Sequence, residues 1–186
     1  IFKWEEPQKT IVDISKWVNL SPDKTSILFC YSLGKAQRLL NEINKTNFKN
    51  KIYTHTSINK INNCYEKLGI DILETNEFDK TQNFHAYKGS LILLPPALNK
   101  GSFLKKFKEI QTGFASGWMS IRALRKRSGY DKGFAISDHA DWEAILKTLK
   151  ETEAKNVFFH HGDSEALIRY LNEKNSINVL DFESKK

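Results

Sequence analysis

Apolar residues along this chain alternate between two rhythms. Within residues 10–20, Ile11, Ile14, Trp17 and Val18 recur at helical spacing, which predicts a helix buried along one face. Ser21-Pro-Asp-Lys is turn chemistry, and the run Ser26-Ile-Leu-Phe-Cys-Tyr31 after it reads as a strand covered on both sides. A helix is expected over residues 32–43, a second short strand over 51–55, and a helix over 58–68 closed by Gly69 at the position that takes a left-handed residue. A third strand over 90–95 stops at Pro95-Pro96, and a fourth is expected over 112–118. Strands alternating with helices imply an α/β fold with a Rossmann-like parallel sheet and right-handed crossovers.

A second α/β run follows: strand 133–137, helix 141–152, strand 156–160, helix 164–173 and strand 177–181. The basic segment between Arg122 and Lys132, containing Ser128-Gly129, is the expected junction, dividing residues 1–125 from 126–186. The second part is thin for an independent core and is expected to complete a larger sheet.

Composition narrows the class. A hydrophobic content of 40%, with four Trp and twelve Phe, excludes a disordered chain. Cys30 and Cys64 lack metal-type spacing and read as buried free thiols of a reducing compartment, so a cytoplasmic location and no membrane partner are expected. No apolar stretch reaches membrane-spanning length and no signal peptide is visible. Ile1 is not a start methionine, so the chain is expected to be a fragment or a processed product.

The net charge of +7 is concentrated. Lys100, Lys105, Lys106, Lys108, Arg122, Arg125, Lys126, Arg127 and Lys132 face only Glu109 and Asp131 in that window, which leaves the remainder of the chain neutral. Such a patch suits a polyphosphate backbone, and a solvated basic face is the plain alternative.

The chemistry-bearing segments are Gly133-Phe-Ala-Ile-Ser-Asp-His-Ala-Asp-Trp142 and Val157-Phe-Phe-His-His-Gly-Asp163. Each reads as a strand delivering a histidine, His139 or His161, beside a carboxylate at the sheet edge where α/β sites form. Ser137 or Asp138 can cap the helix after His139, and His139 itself is either a turn residue or a group that orients a phosphate or donates a proton. Alternation along the strand sends His160 and His161 to opposite faces, so at most one of them reaches a given site, where a neutral imidazole suits zinc.

Further residues reach the same edge. In Ser32-Leu-Gly-Lys35, backbone N–H groups together with Lys35 can hold an anion at a helix start, although the P-loop spacing is absent and Gly34 could equally serve tight packing. His55 lies in a second strand-end cluster, Thr54-His-Thr56, whereas His85 has no such context and reads as a surface residue. Phe114 and Trp118 beside Ser116 could stack on bases or belong to the core. Asp138 and Asp141 complete the candidate cleft.

Taken in order, the segment from Phe29 to Leu40, Phe114-Ala-Ser-Gly-Trp-Met119, the Arg122–Arg127 basic run and the stretch from Gly133 to Trp142 resemble the β-CASP group of metallo-β-lactamase-fold nucleases, most of all its ligase-associated, mRNA 3′-end-processing-like exonuclease branch. The resemblance implies that residues 1–125 are a β-CASP domain and 126–186 the last part of a metallo-β-lactamase domain. It implies a catalytic role for His139, a zinc-ligand role for His161, and strand-guiding roles for Lys35, Arg122, Arg125, Lys126 and Arg127. It further implies two zinc ions, a DNA or RNA substrate, and an ATP-dependent DNA ligase and a helicase as associates.

One departure matters. The group's His-x-His-x-Asp-His zinc motif is absent from the chain, and Ile1-Phe-Lys-Trp4 resembles a stretch that follows a later motif. The metal-binding half is therefore expected to be missing, and this piece to bind little or no zinc and to be inactive alone. Two other readings stay open: a noncatalytic nucleic-acid-binding module, and a hydrolase of the same fold acting on a small ester.

Overall fold

The computed structural model describes residues 3–160, 164–174 and 177–180. They divide into two compact units, Trp4–Asp138 and a smaller one made of the described residues from His139 onward together with Lys3.

In the larger unit the order is α1 (Pro7–Asn19), β1 (Thr25–Phe29), α2 (Lys35–Asn44), β2 (Ile52–Thr54), α3 (Thr56–Lys67), β3 (Asn76–Glu77), β4 (Leu91–Leu94), β5 (Ile110–Ala115), α4 (Arg122–Arg127) and β6 (Lys132–Phe134). The strands form one parallel six-stranded sheet in the order β3-β2-β4-β1-β5-β6. The fold is the α/β, Rossmann-like one that the alternation predicts.

β1 sits between β4 and β5 and is buried throughout, which explains its unbroken apolar run. Its side chains alternate between two cores. Leu28 and Cys30 join Ile11, Ile14 and Trp17 of α1 and Leu39, Leu40 and Ile43 of α2. Ile27 and Phe29 join a layer of rings on the other face, including Phe78, Tyr87, Phe103 and Phe107. Among the described residues, no member of that second layer lies on an α-helix. Short 3₁₀ turns at Phe84–Tyr87 and Ser102–Lys106 carry the rings instead, with Phe84 edge-on to Phe107 at 4.5 Å. Each fully buried ring or aliphatic side chain contributes about 1.5–3 kcal/mol.

Several expected boundaries move. The fourth strand ends at Ala115, because Ser116 Oγ accepts the Trp118 N–H at 3.4 Å and starts a 3₁₀ turn over Gly117–Ser120. β3, which pairs with β2, has two exposed residues and so carries no apolar pattern that a sequence could display. β6, expected in the second run, pairs with β5 in the main sheet. Thr10 Oγ1 extends that attachment by donating to Ala135 O at 2.9 Å.

The smaller unit contains α5 (Trp142–Glu151), β7 (Asn156–Phe158), α6 (Glu165–Lys174) and β8 (Asn178–Leu180), with β7 and β8 paired in parallel. Trp142 meets Tyr170 edge-on at 5.4 Å, and Leu167 and Leu171 are buried. The cap of α5 corrects the sequence reading. It is Asp141 that accepts the Ala144 N–H, at 2.9 Å, while Ser137 and Asp138 are engaged in the larger unit. Among the described residues, no helix is long and apolar enough to cross a membrane.

Candidate functional site

A parallel sheet ends all its strands on one edge. The connection after β1 leaves toward β2, and the one after β5 leaves toward β6 on the opposite side. Since β1 and β5 are neighbours, their loops diverge at the two carboxyl ends, the position at which open α/β sheets bind ligands. Tyr31 and Ser32 follow β1, Ser116 follows β5, and Ser137 and Asp138 lie beyond the end of β6.

The first turn of α2 is tied to the segment after β6. Lys35 Nζ forms an ion pair with Asp138 Oδ1, and Arg38 donates to the Ser137 carbonyl. The Lys35 side chain is only 4% exposed and that of Asp138 27%, so the ammonium is the more deeply desolvated partner. Gly34 is required here twice over. Its φ is +77°, and a Cβ would stand 2.5 Å from Asp138 Oδ2.

The loop's N–H groups are turned to internal use. Gly34 N–H donates to Gln37 Oε1 at 2.8 Å, Lys35 N–H to Leu33 O at 2.9 Å and Ala36 N–H to Tyr31 O at 3.1 Å. Of the anion-holding residues expected from the sequence, Gly34 and Lys35 thus meet a carboxylate of the protein itself.

A second polar chain links β1 to β2. Ser32 Oγ lies 2.9 Å from Ser57 Oγ, which lies 2.9 Å from His55 Nδ1. Nδ1 also accepts the Ser57 N–H at 3.2 Å, capping α3. Burial, and secondarily the charge of Lys80, lower the His55 pKa against a smaller opposing effect of Glu77. These effects favour the neutral ring, whose Nδ1 accepts from Ser57 N–H.

Basic residues and rings share the rim beyond β5. Arg122, Arg125, Lys126 and Arg127 are all exposed along α4. Trp118 is 57% exposed, and Ile121 and Leu124 are exposed beside it. Ser116, by contrast, is buried and serves as a cap. Phe114 belongs to the half-buried aromatic layer, stacked on Tyr130 at 5.0 Å.

The histidines divide differently. His139, the residue after Asp138, is exposed and begins the smaller unit. His161, the expected zinc ligand, lies outside the described residues with Gly162 and Asp163. His160 and His85 are exposed. Among the described residues no group of three or more His, Cys, Asp or Glu is placed to hold a metal, so they do not fit a zinc pair. Cys30 is buried as expected, but Cys64 is exposed on α3, because its helical position falls away from Ile58 and Asn62, the buried residues of that helix.

Three residues of this edge escaped sequence reasoning: Tyr31, Arg38 and Ser57. Arg38 follows Lys35 by three positions on a predicted helix, a spacing that places both on one face. Ser57 follows His55 by two, the offset of a side-chain cap.

No protein-family model matches the chain. Over 155 residues, 83% of its length, it is 26% identical to a probable DNA ligase of Opitutus terrae. The chain spans 15% of the length of that curated relative.

Proposed function

We propose that this chain is part of a DNA-processing enzyme and that the enzyme hydrolyses phosphodiester bonds, as the β-CASP resemblance implies. The name of the relative supports the DNA substrate. A match confined to 15% of a protein named for joining DNA fits a nuclease module standing beside a ligase. The observation that carries the reading is the carboxyl edge of the sheet in the larger unit. Asp138, immediately before His139, is held by Lys35 in the larger unit, and its neighbour Ser137 is held by Arg38. The exposed basic run of α4 lies on that unit as well.

In this reading α4 attracts the phosphate backbone, and the Lys35 and Arg38 contacts hold Asp138 and the Ser137 carbonyl at the carboxyl edge of the same unit. His139 then orients the scissile phosphate or protonates the leaving oxygen. Because the described residues do not assemble zinc ligands, no step is assigned to metal. The same observation favours a second reading for the chain on its own, a nucleic-acid-binding module without catalysis.

Replacing His139 with Ala in the full-length enzyme tests the first reading. Turnover of a labelled DNA should fall by about a hundredfold or more, the scale of a lost general acid, while DNA affinity changes little. Equal losses in both would remove the catalytic role. Salt-dependent binding with no hydrolysis, before and after the substitution, would leave the binding module.

A further inference from the structure

The carboxyl edge of the sheet presents rings as well as charge. Tyr31, two residues beyond β1, is 57% exposed, and Trp118, three residues beyond β5, is 57% exposed. Because Phe29 is level with Phe114 in the β1–β5 register, Tyr31 and Trp118 leave the sheet at the same edge from adjacent strands.

Each is positioned by the fold. Lys35 Nζ stands 5.6 Å from the centre of the Tyr31 ring, and that ammonium is itself fixed by Asp138. Below Tyr31 the rings continue inward, with Tyr130 stacked on Phe114 at 5.0 Å and tilted against Phe29 at 5.3 Å. The Tyr31 hydroxyl is near enough to Tyr130 to help raise its pKa, although burial is the larger cause. Trp118 is placed by the Ser116 cap, and Ile121 and Leu124, both exposed, follow it in the chain. Arg122 and Arg125 lie one position after each of these, and no acidic residue occurs between Ile110 and Tyr130.

Exposed rings beside a run of four exposed cations match what an unpaired polynucleotide offers: flat bases on one side and phosphates on the other. A duplex hides its base faces and would leave these rings unused. Resting on the DNA-processing reading above, we propose that Tyr31 and Trp118 form a stacking platform that takes single-stranded DNA, with the α4 cations holding its backbone.

The test measures affinity of the intact chain for an oligothymidylate of about 15 nucleotides and for an abasic oligomer of equal length. Tyr31→Ala and Trp118→Ala should each weaken binding to the thymidylate by about fivefold to a hundredfold. They should leave binding to the abasic oligomer and the salt dependence almost unchanged. Tyr31→Phe and Trp118→Phe, which keep a ring, should retain most of the affinity. Equal losses on both oligomers, or no loss on either, overturn the platform while the DNA-processing reading stands. Failure of the unaltered chain to bind either oligomer overturns both.

Discussion

The Lys35–Asp138 pair makes an asymmetric prediction. Lys35 is 4% exposed and Asp138 27%, so the two partners differ in how much water remains when the other is removed. Asp138→Asn leaves a buried ammonium without a counter-charge. Removing one member of a buried pair costs about 3–5 kcal/mol, and Asp138's partial exposure puts this site near the lower end, about 3 kcal/mol. Lys35→Met leaves a carboxylate that water can reach and fills the buried volume with an unbranched apolar chain. Its cost should be about 1 kcal/mol or less.

The double variant should recover most of the loss of Asp138→Asn, a coupling of about 2 kcal/mol between residues 103 positions apart. Urea denaturation of the four proteins supplies the cycle, and a Tm lower by roughly 6–12 °C for Asp138→Asn is the thermal counterpart. Raising the salt should change the coupling little, since a buried pair is poorly screened. Equal costs for the two single variants, or additive behaviour in the double, would refute the assignment of Lys35 as the desolvated partner.

Other consequences can be measured independently. Burial pushes the Cys30 thiol up to about 12, so at neutral pH a disulfide-exchange reagent should titrate one thiol, Cys64, in the native chain and two after unfolding; rapid reaction of both would contradict the buried position. Gly34→Ala must adopt a left-handed conformation against Asp138, and should lower the urea-derived stability by about 2 kcal/mol or more; an unchanged midpoint would mean the loop is free to rearrange. His55 has a folded pKa below its ordinary 6.5, so the unfolded state binds the proton more readily; the stability from the neutral ring is complete above about pH 6.5 and declines as pH falls toward the folded value, and an NMR titration midpoint at or above 6.5 would contradict it.

What was legible in the sequence was local. The run at β1 is buried on both faces, and the recurrence of Ile11, Ile14, Trp17 and Val18 marks the inner stripe of α1. Both patterns survive because burial and periodicity agree. β3 was illegible since its two residues are exposed and paired only by backbone. The α5 cap was misread because Ser137, Asp138 and Asp141 are all good capping types, and the choice was made by long-range bonds from Arg38 and Lys35. Likewise Lys35 has the local setting of an anion ligand, but its partner is an aspartate that no neighbouring pattern reveals. The His55 cluster was visible as strand-end polarity, whereas its link to Ser32 required β1 and β2 to be brought to the same edge.

The central claim is that the carboxyl edge beside α4 holds DNA through its phosphates. The most direct measurement is the slope of log affinity against log salt for a single-stranded DNA oligomer. It should be taken with the unaltered chain and with Arg122, Arg125, Lys126 and Arg127 all replaced by Ser. Each lost phosphate contact reduces the slope by about 0.7, so the account predicts a slope shallower by about 3 for the variant, with the fold intact. An unchanged slope, or no salt-dependent binding by the unaltered chain, would contradict it.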